Sequence, residues 1–265
     1  MPRFAANLSM LFTEVDFLDR FAAAAEAGFT GVEYLFPYDY PAEELKARLD
    51  AHGLSQVLFN LPAGDWAGGE RGIACHPQRV EEFRAGVEQA IAYARVLGNT
   101  QVNCLAGVRP AGYDDATVEQ TLVANLRYAA ARLGEAGITL VMEAINTRDI
   151  PGFYLHNTRQ ALAIREQVGS DNLLLQYDIY HMQVMEGDLA RTLETNLAAI
   201  HHVQLADNPG RHEPGSGEIN YRFLFAHLER IGYQGWIGCE YKPLTTTAAG
   251  LGWLAPFHKS IHNAI

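Results

Sequence analysis

Glu143, Asp178, Gln204 and Glu240 lie 35, 26 and 36 residues apart, and each falls at the end of a short apolar run. Three carboxylates and one amide oxygen brought together make a hard, all-oxygen donor set. That set suits Mg²⁺ or Mn²⁺, whereas zinc favours thiolate or imidazole. Taken singly, an acid in such a place ordinarily caps a helix or meets solvent. Four in step differ, because crowded carboxylates near a core are costly unless a cation joins them. The stretch LLLQYDIYH (173–181) shows the pattern in miniature: it begins as a buried strand and ends in Gln176, Asp178 and His181. One turn past Asp178, His181 is expected to face the same site, as a substrate contact or proton relay.

These residues meet only if the elements carrying them repeat. Strand-like runs are predicted at 4–8, 30–36, 56–62, 101–107, 138–146, 172–181, 200–207 and 236–241. Amphipathic helices are predicted at 17–28, 41–53, 77–98 and 115–137, near 158–168, near 188–198, and at 221–232. Strict alternation argues for a parallel sheet covered by helices. Eight units in 265 residues match the size of a (β/α)8 TIM barrel, whose active sites sit at the C-terminal strand ends. A doubly wound nucleotide-binding sheet would show a glycine-rich turn after its first strand; here that turn is NLSMLFTE. No linker or long-period repeat interrupts the chain, so one domain, 1–265, is expected. No nucleotide cofactor is expected either.

Lys and Arg total 20 against 31 Asp and Glu, a formal net charge of −11. That opposes nucleic-acid or anionic-membrane partners, which need a basic face. No apolar run reaches the roughly 18 residues of a membrane span. Cys75, Cys104 and Cys239 are scattered and odd in number, which points to a reducing, cytoplasmic setting and no disulfide frame. A small-molecule substrate is the remaining partner; the sequence carries no signal of oligomeric state.

The sequence resembles the hydroxypyruvate isomerase family of the xylose-isomerase-like barrels. The likeness covers nearly the whole chain, through FAANLSMLF (4–12), GVEYLFPYDY (31–40), LPAGDWAGGERGIAC (61–75), IPGFYLHNTRQAL (150–162), QYDIYHMQVMEGDL (176–189), HEPGSGEINY (212–221) and GCEYKPLTTTAAGL (238–251). It implies a metal-assisted interconversion of hydroxypyruvate and 2-hydroxy-3-oxopropanoate (tartronate semialdehyde). It also implies that Glu143 and Glu240 are both metal ligands and proton donor/acceptors, with Asp178 and Gln204 as further ligands. The wider superfamily often has histidine where Gln204 stands; glutamine matches this branch. The 2-oxo-tetronate isomerases are the nearest alternative. A more distant one, the ketose 3-epimerases, implies substrate contacts at His181 and, six residues after Glu143, at Asp149. Metal-dependent endonucleases acting on abasic DNA share the barrel, but the acidic charge argues against them.

Such an isomerisation moves a proton from C3 to C2 through an enediol, and needs a base and an acid on the two sides. Glu143 and Glu240 are the expected pair. The substrate carboxylate wants a cation, and Arg71, Arg148, Arg211 and Lys242 all lie beyond strand ends. His201 and His202 open the seventh strand at its far end and are expected to be structural. Asp207 is expected either to support the site or to cap a loop. The glycine-rich loop 63–73 around Trp66 is expected to be a lid.

Overall fold

The computed structural model describes residues 2–257, so the two extreme ends of the expected 1–265 domain lie outside the described residues. Eight parallel strands are joined by helices: β1 Arg3–Asn7, β2 Gly31–Glu33, β3 Ser55–Leu58, β4 Gln101–Cys104, β5 Thr139–Glu143, β6 Leu173–Asp178, β7 Ile200–Leu205 and β8 Trp236–Cys239. Their order, 3-2-1-8-7-6-5-4, curls into a single-domain TIM barrel. The seam between β3 and β4 is closed by the parallel bridge Asn60–Asn103.

The principal helices are α1 Arg20–Glu26, α2 Ala42–Ala51, α3 Val80–Leu97, α4 Asp115–Glu135, α5 Thr158–Val168, α6 Ile179–Met185, α7 Leu189–Thr195, α8 Tyr221–Arg230 and α9 Thr247–Gly250. Local chemistry sets their ends. Asp114 and Asn157 cap α4 and α5 by accepting from Thr117 N and Gln160 N, which satisfies donors the helix start leaves free. Gly98 ends α3 in the left-handed conformation. Among the described residues, no helix is long and apolar enough to cross a membrane.

The sixth strand is shorter than the run 172–181 predicts. It stops at Asp178, whose Oδ1 accepts from the backbone N–H groups of Tyr180 (2.7 Å) and His181 (3.2 Å) and so starts α6. His181 therefore rides on a helix, not on a strand.

The period of two within strands divides the barrel into layers. A large apolar core fills the space between strands and helices. Inside the barrel a small cluster, Ala5, Val57, Leu58 and Val141 with Leu174 and Trp236, forms an apolar plug. Two residues on from Ala5, Val141 and Leu174 stand Asn7, Glu143 and Gln176, all buried. The same inward parity brings Asp178, His202 and Gln204 to the barrel axis. The plug thus supports a polar floor at the C-terminal end of the strands.

Candidate active site

Strand register sets the floor: Glu143 pairs with Gln176, Asp178 with Gln204, and Gln204 with Gly238, two residues before Glu240. All four residues expected from spacing therefore meet. The Gln204 amide nitrogen donates to Glu240 Oε2 at 2.7 Å and to Glu33 Oε1 at 2.7 Å, while its oxygen accepts from Gln176 Nε2 at 2.6 Å. Glu143, Asp178 and His181 each offer an atom within 4.8 Å of the others, a buried group able to hold a metal ion.

His181 comes as close as the expected ligands. Its Nε2 is 3.7 Å from Glu143 Oε1 and 3.6 Å from Asp178 Oδ2. Asn146 donates to its Nδ1 at 2.6 Å, so the ring proton sits on Nε2 and faces the acids. Burial pulls this imidazole down to about 4, with Asp178 opposing; the ring is neutral near pH 7.

The two glutamates are held unequally. Glu240 has both oxygens engaged: Oε2 accepts from Gln204 and from Asn7 (3.2 Å), and Oε1 accepts from Arg211 Nη2 at 2.7 Å. Glu143 accepts from Asn103 Nδ2 at 3.2 Å on Oε2. Burial pushes Glu143 well above the usual carboxylate range, and the charges of Glu240 and Asp178 push it further. Burial also raises Glu240, to about 8, against the downward pull of Arg211. Asp178 Oδ2 is buried without a hydrogen-bond partner. Acids that resist ionisation and an orphaned carboxylate oxygen are what a divalent cation relieves, so the residues present fit one.

Above the floor opens a cavity of about 570 Å³, lined among others by Glu143, Asp149, His181, Arg211, Glu240 and Lys242. Of the four candidate cations, Arg71, Arg211 and Lys242 border it. Arg148 lies exposed outside that lining. Arg211 Nη1 also sits 3.9 Å from Asp149 Oδ2, and its guanidinium lies over Tyr180, whose hydroxyl donates to Asp149 at 2.9 Å. Lys242 stands exposed at the rim. Arg71 stacks on Trp66 at 4.3 Å and donates to the carbonyls of Trp66 and Glu70. The expected lid loop thus forms one wall.

The sequence pattern of the xylose isomerase-like TIM barrels matches residues 21–257. The chain belongs to this family. It is 59% identical over 257 residues to a hydroxypyruvate isomerase from Escherichia coli, covering 97% of this chain and 100% of that one. It is 52% identical over 257 residues to a 2-oxo-tetronate isomerase from Cupriavidus necator, covering 97% and 99%. A solved structure described as an AP endonuclease, family 2, from Brucella melitensis superposes with a TM-score of 0.95 at 49% identity, covering 97% of this chain and 99% of that one.

Sequence reasoning missed part of the floor. Glu33, Asn7, Asn103 and His202 are buried there and bonded to the expected residues or to one another. The available signal was parity: Asn7 and Glu33 end β1 and β2 in register with each other, polar residues closing apolar strands as Glu143 does.

Proposed function

We propose that this protein is an isomerase that interconverts hydroxypyruvate and 2-hydroxy-3-oxopropanoate by proton transfer. The observation that carries the reading is the pair of buried glutamates, Glu143 and Glu240, projecting from separate strands at the floor of the cavity. The 59% identity to a hydroxypyruvate isomerase supports it.

The donors around each glutamate separate their roles. With Arg211, Gln204 and Asn7 turned toward it, Glu240 is the more readily ionised of the two and is the base in the direction that removes the C3 proton. As that C–H bond breaks, its electron pair forms the C2–C3 double bond and the carbonyl pair moves onto O2, which takes the proton that O3 gives up. Glu143, which among the described residues no Lys or Arg contacts and which burial and neighbouring acids keep protonated, is the acid that delivers a proton to C2 as the O3–H proton passes to O2 and C3=O3 forms. His181 donates from Nε2 to a substrate oxygen. Lys242 and Arg71 offer charge to the substrate carboxylate, leaving Arg211 to Glu240 and Asp149.

Glu143, Asp178 and Glu240 would hold a Mg²⁺ or Mn²⁺ ion, together with the Gln204 amide oxygen, which keeps a second lone pair beyond the bond from Gln176. Such a cation, when bound, stabilises negative charge on neighbouring substrate oxygens.

A second reading, a 2-oxo-tetronate isomerase, is favoured by the 52% relative and by a cavity of about 570 Å³, more than a three-carbon acid needs. Endonuclease action is disfavoured by a net charge of −11 and by a mouth where Glu143, Asp149 and Glu240 sit among the cations. Turnover of hydroxypyruvate and of 2-oxo-tetronates with Mg²⁺ or Mn²⁺ tests the assignment. Faster turnover of the tetronate selects the second reading; nicking of abasic DNA without isomerisation rejects both. In D₂O the product should carry solvent deuterium at C2, because carboxylates exchange with water. Complete transfer of substrate hydrogen would remove the proton roles of the two glutamates.

A further inference from the structure

Beneath the floor lies a carboxylate to which the proposed chemistry assigns no part. Glu33, at the end of β2, is 1% exposed, and a lone buried carboxylate is expensive unless it is fully hydrogen-bonded. Here it is. His202, 0% exposed, meets Glu33 Oε2 with its Nε2 at 2.8 Å. The Gln101 side-chain amide donates to His202 Nδ1 at 3.2 Å, which leaves Nε2 as the nitrogen that donates to Glu33. The other oxygen of Glu33 accepts from Gln204 Nε2 at 2.7 Å and Asn7 Nδ2 at 3.1 Å.

Those two amide nitrogens each also reach Glu240 Oε2, at 2.7 and 3.2 Å. An amide nitrogen has two hydrogens, so one can serve each acid. Both oxygens of Glu33 act as acceptors in this arrangement. Glu33 therefore turns the NH₂ groups of both amides inward, and the second hydrogen of each falls on Glu240. The same constraint keeps the Gln204 oxygen away from Glu33. One oxygen of Glu240 is pinned, and the other is left to Arg211 and the cavity. The barrel makes room for this arrangement at Gly238: a Cβ there would collide with both oxygens of Glu33.

We propose that Glu33, braced by His202 and Gln101, is a positioning residue that sets the orientation of Glu240 and of the Gln204 amide. The proposal rests on the reading of Glu240 and Gln204 as cation ligands. Partners one layer behind metal ligands typically matter by about 10- to 100-fold in affinity or activity.

Three variants test it: Glu33→Gln, which removes the acceptor-only character with little change of shape; His202→Gln, which removes the brace; and Gly238→Ala, which keeps every polar group and displaces the carboxylate. Mn²⁺ affinity is measured by electron paramagnetic resonance of the free ion, alongside the Tm of the metal-free protein and kcat at saturating Mn²⁺. The expected result is about a 10- to 100-fold loss of Mn²⁺ affinity, with a lower kcat, in protein whose metal-free Tm stays near that of the wild type. Folded Glu33→Gln and Gly238→Ala proteins that bind Mn²⁺ and turn over as the wild type does would overturn the proposal and leave the metal site intact. A wild type that binds no Mn²⁺ would overturn both together. If none of the three variants folds, Glu33 is scaffold and the proposal falls.

Discussion

Asp207 offers the most direct test of how the site is assembled. It follows β7, is fully buried, and receives four backbone N–H groups: Asn208 and Ile219 on Oδ1 at 2.9 and 3.0 Å, Gly215 and Gly217 on Oδ2 at 2.9 Å each. The loop that it gathers carries Arg211, a residue at φ +57°, to its 2.7 Å contact with Glu240. The change Asp207→Asn leaves one acceptor oxygen. The loop can then keep the Asn208 and Ile219 bonds or the two glycine bonds, and an NH₂ group faces the donors it loses. Hydrogen bonds to a charged group contribute about 1.5–3 kcal/mol each, so losing two costs about 3 kcal/mol at the lower end, where water and loop relaxation compensate. At about 1.4 kcal/mol per tenfold, the balance between ordered and open loop shifts about 100-fold. Hydrogen exchange at Gly215, Gly217 and Ile219 should accelerate by about that factor, with exchange in β5 and β6 unchanged and kcat/KM reduced as Arg211 leaves Glu240. Wild-type exchange and wild-type kcat/KM would refute the reasoning. So would uniform acceleration through the whole barrel, which would make Asp207 a general stability residue.

Chelation should abolish isomerisation, and Mg²⁺ or Mn²⁺ should restore it; full turnover by protein shown to be metal-free would sink the cation site. Lys242→Met and Arg71→Met should raise KM for hydroxypyruvate with little change in kcat, while Arg211→Met should chiefly lower kcat; equal effects from all three would erase the distinction drawn between them. The lid should loosen in acid. Glu70 is held below the usual carboxylate range by the Asp65 backbone N–H, at 2.5 Å, and by its ion pair with Arg79. A depressed carboxyl contributes order above its unfolded value of about 4.3 and loses it as pH falls through the folded value. Acrylamide quenching of Trp66, read in a Trp236→Phe/Trp253→Phe background, should rise over that interval, and Glu70→Gln should remove the pH dependence.

The barrel was legible because eight apolar runs are separated by seven amphipathic ones, a pattern that tertiary context rarely overrides. Boundaries were less so. The run to His181 looks like one strand, and only the capping geometry of Asp178 shows that the chain turns helical at Ile179. Reading strand ends found Glu143, Asp178, Gln204 and Glu240, because intervals of one strand–helix unit repeat. It left Asn7 and Glu33 among the apolar strands that carry them, and it placed His202 only as structural. Those contacts span 26 to 171 residues, and no local period encodes them. The four cations were equivalent in sequence; Arg211 stands out because the cage around Asp207 delivers it to Glu240, a relation between a loop and a strand end.

The layering also explains why so many acids can share one barrel. Glu33, Glu143, Asp178 and Glu240 are all buried at its C-terminal end, with Arg211 in contact with Glu240 alone of the four. Side-chain amides take up part of the difference: Asn7, Asn103 and Gln204 each direct N–H groups onto these carboxylates. An amide carries no charge, so it orients an acid without neutralising it. The apolar plug lies beneath, and Glu33 with His202 closes the polar layer above it. What remains uncompensated is gathered where Glu143 Oε1, Asp178 Oδ2 and His181 converge. Amides beneath and a guanidinium at one side leave that point as the one where the proposed divalent cation would relieve the acids, within reach of a substrate entering from the cavity.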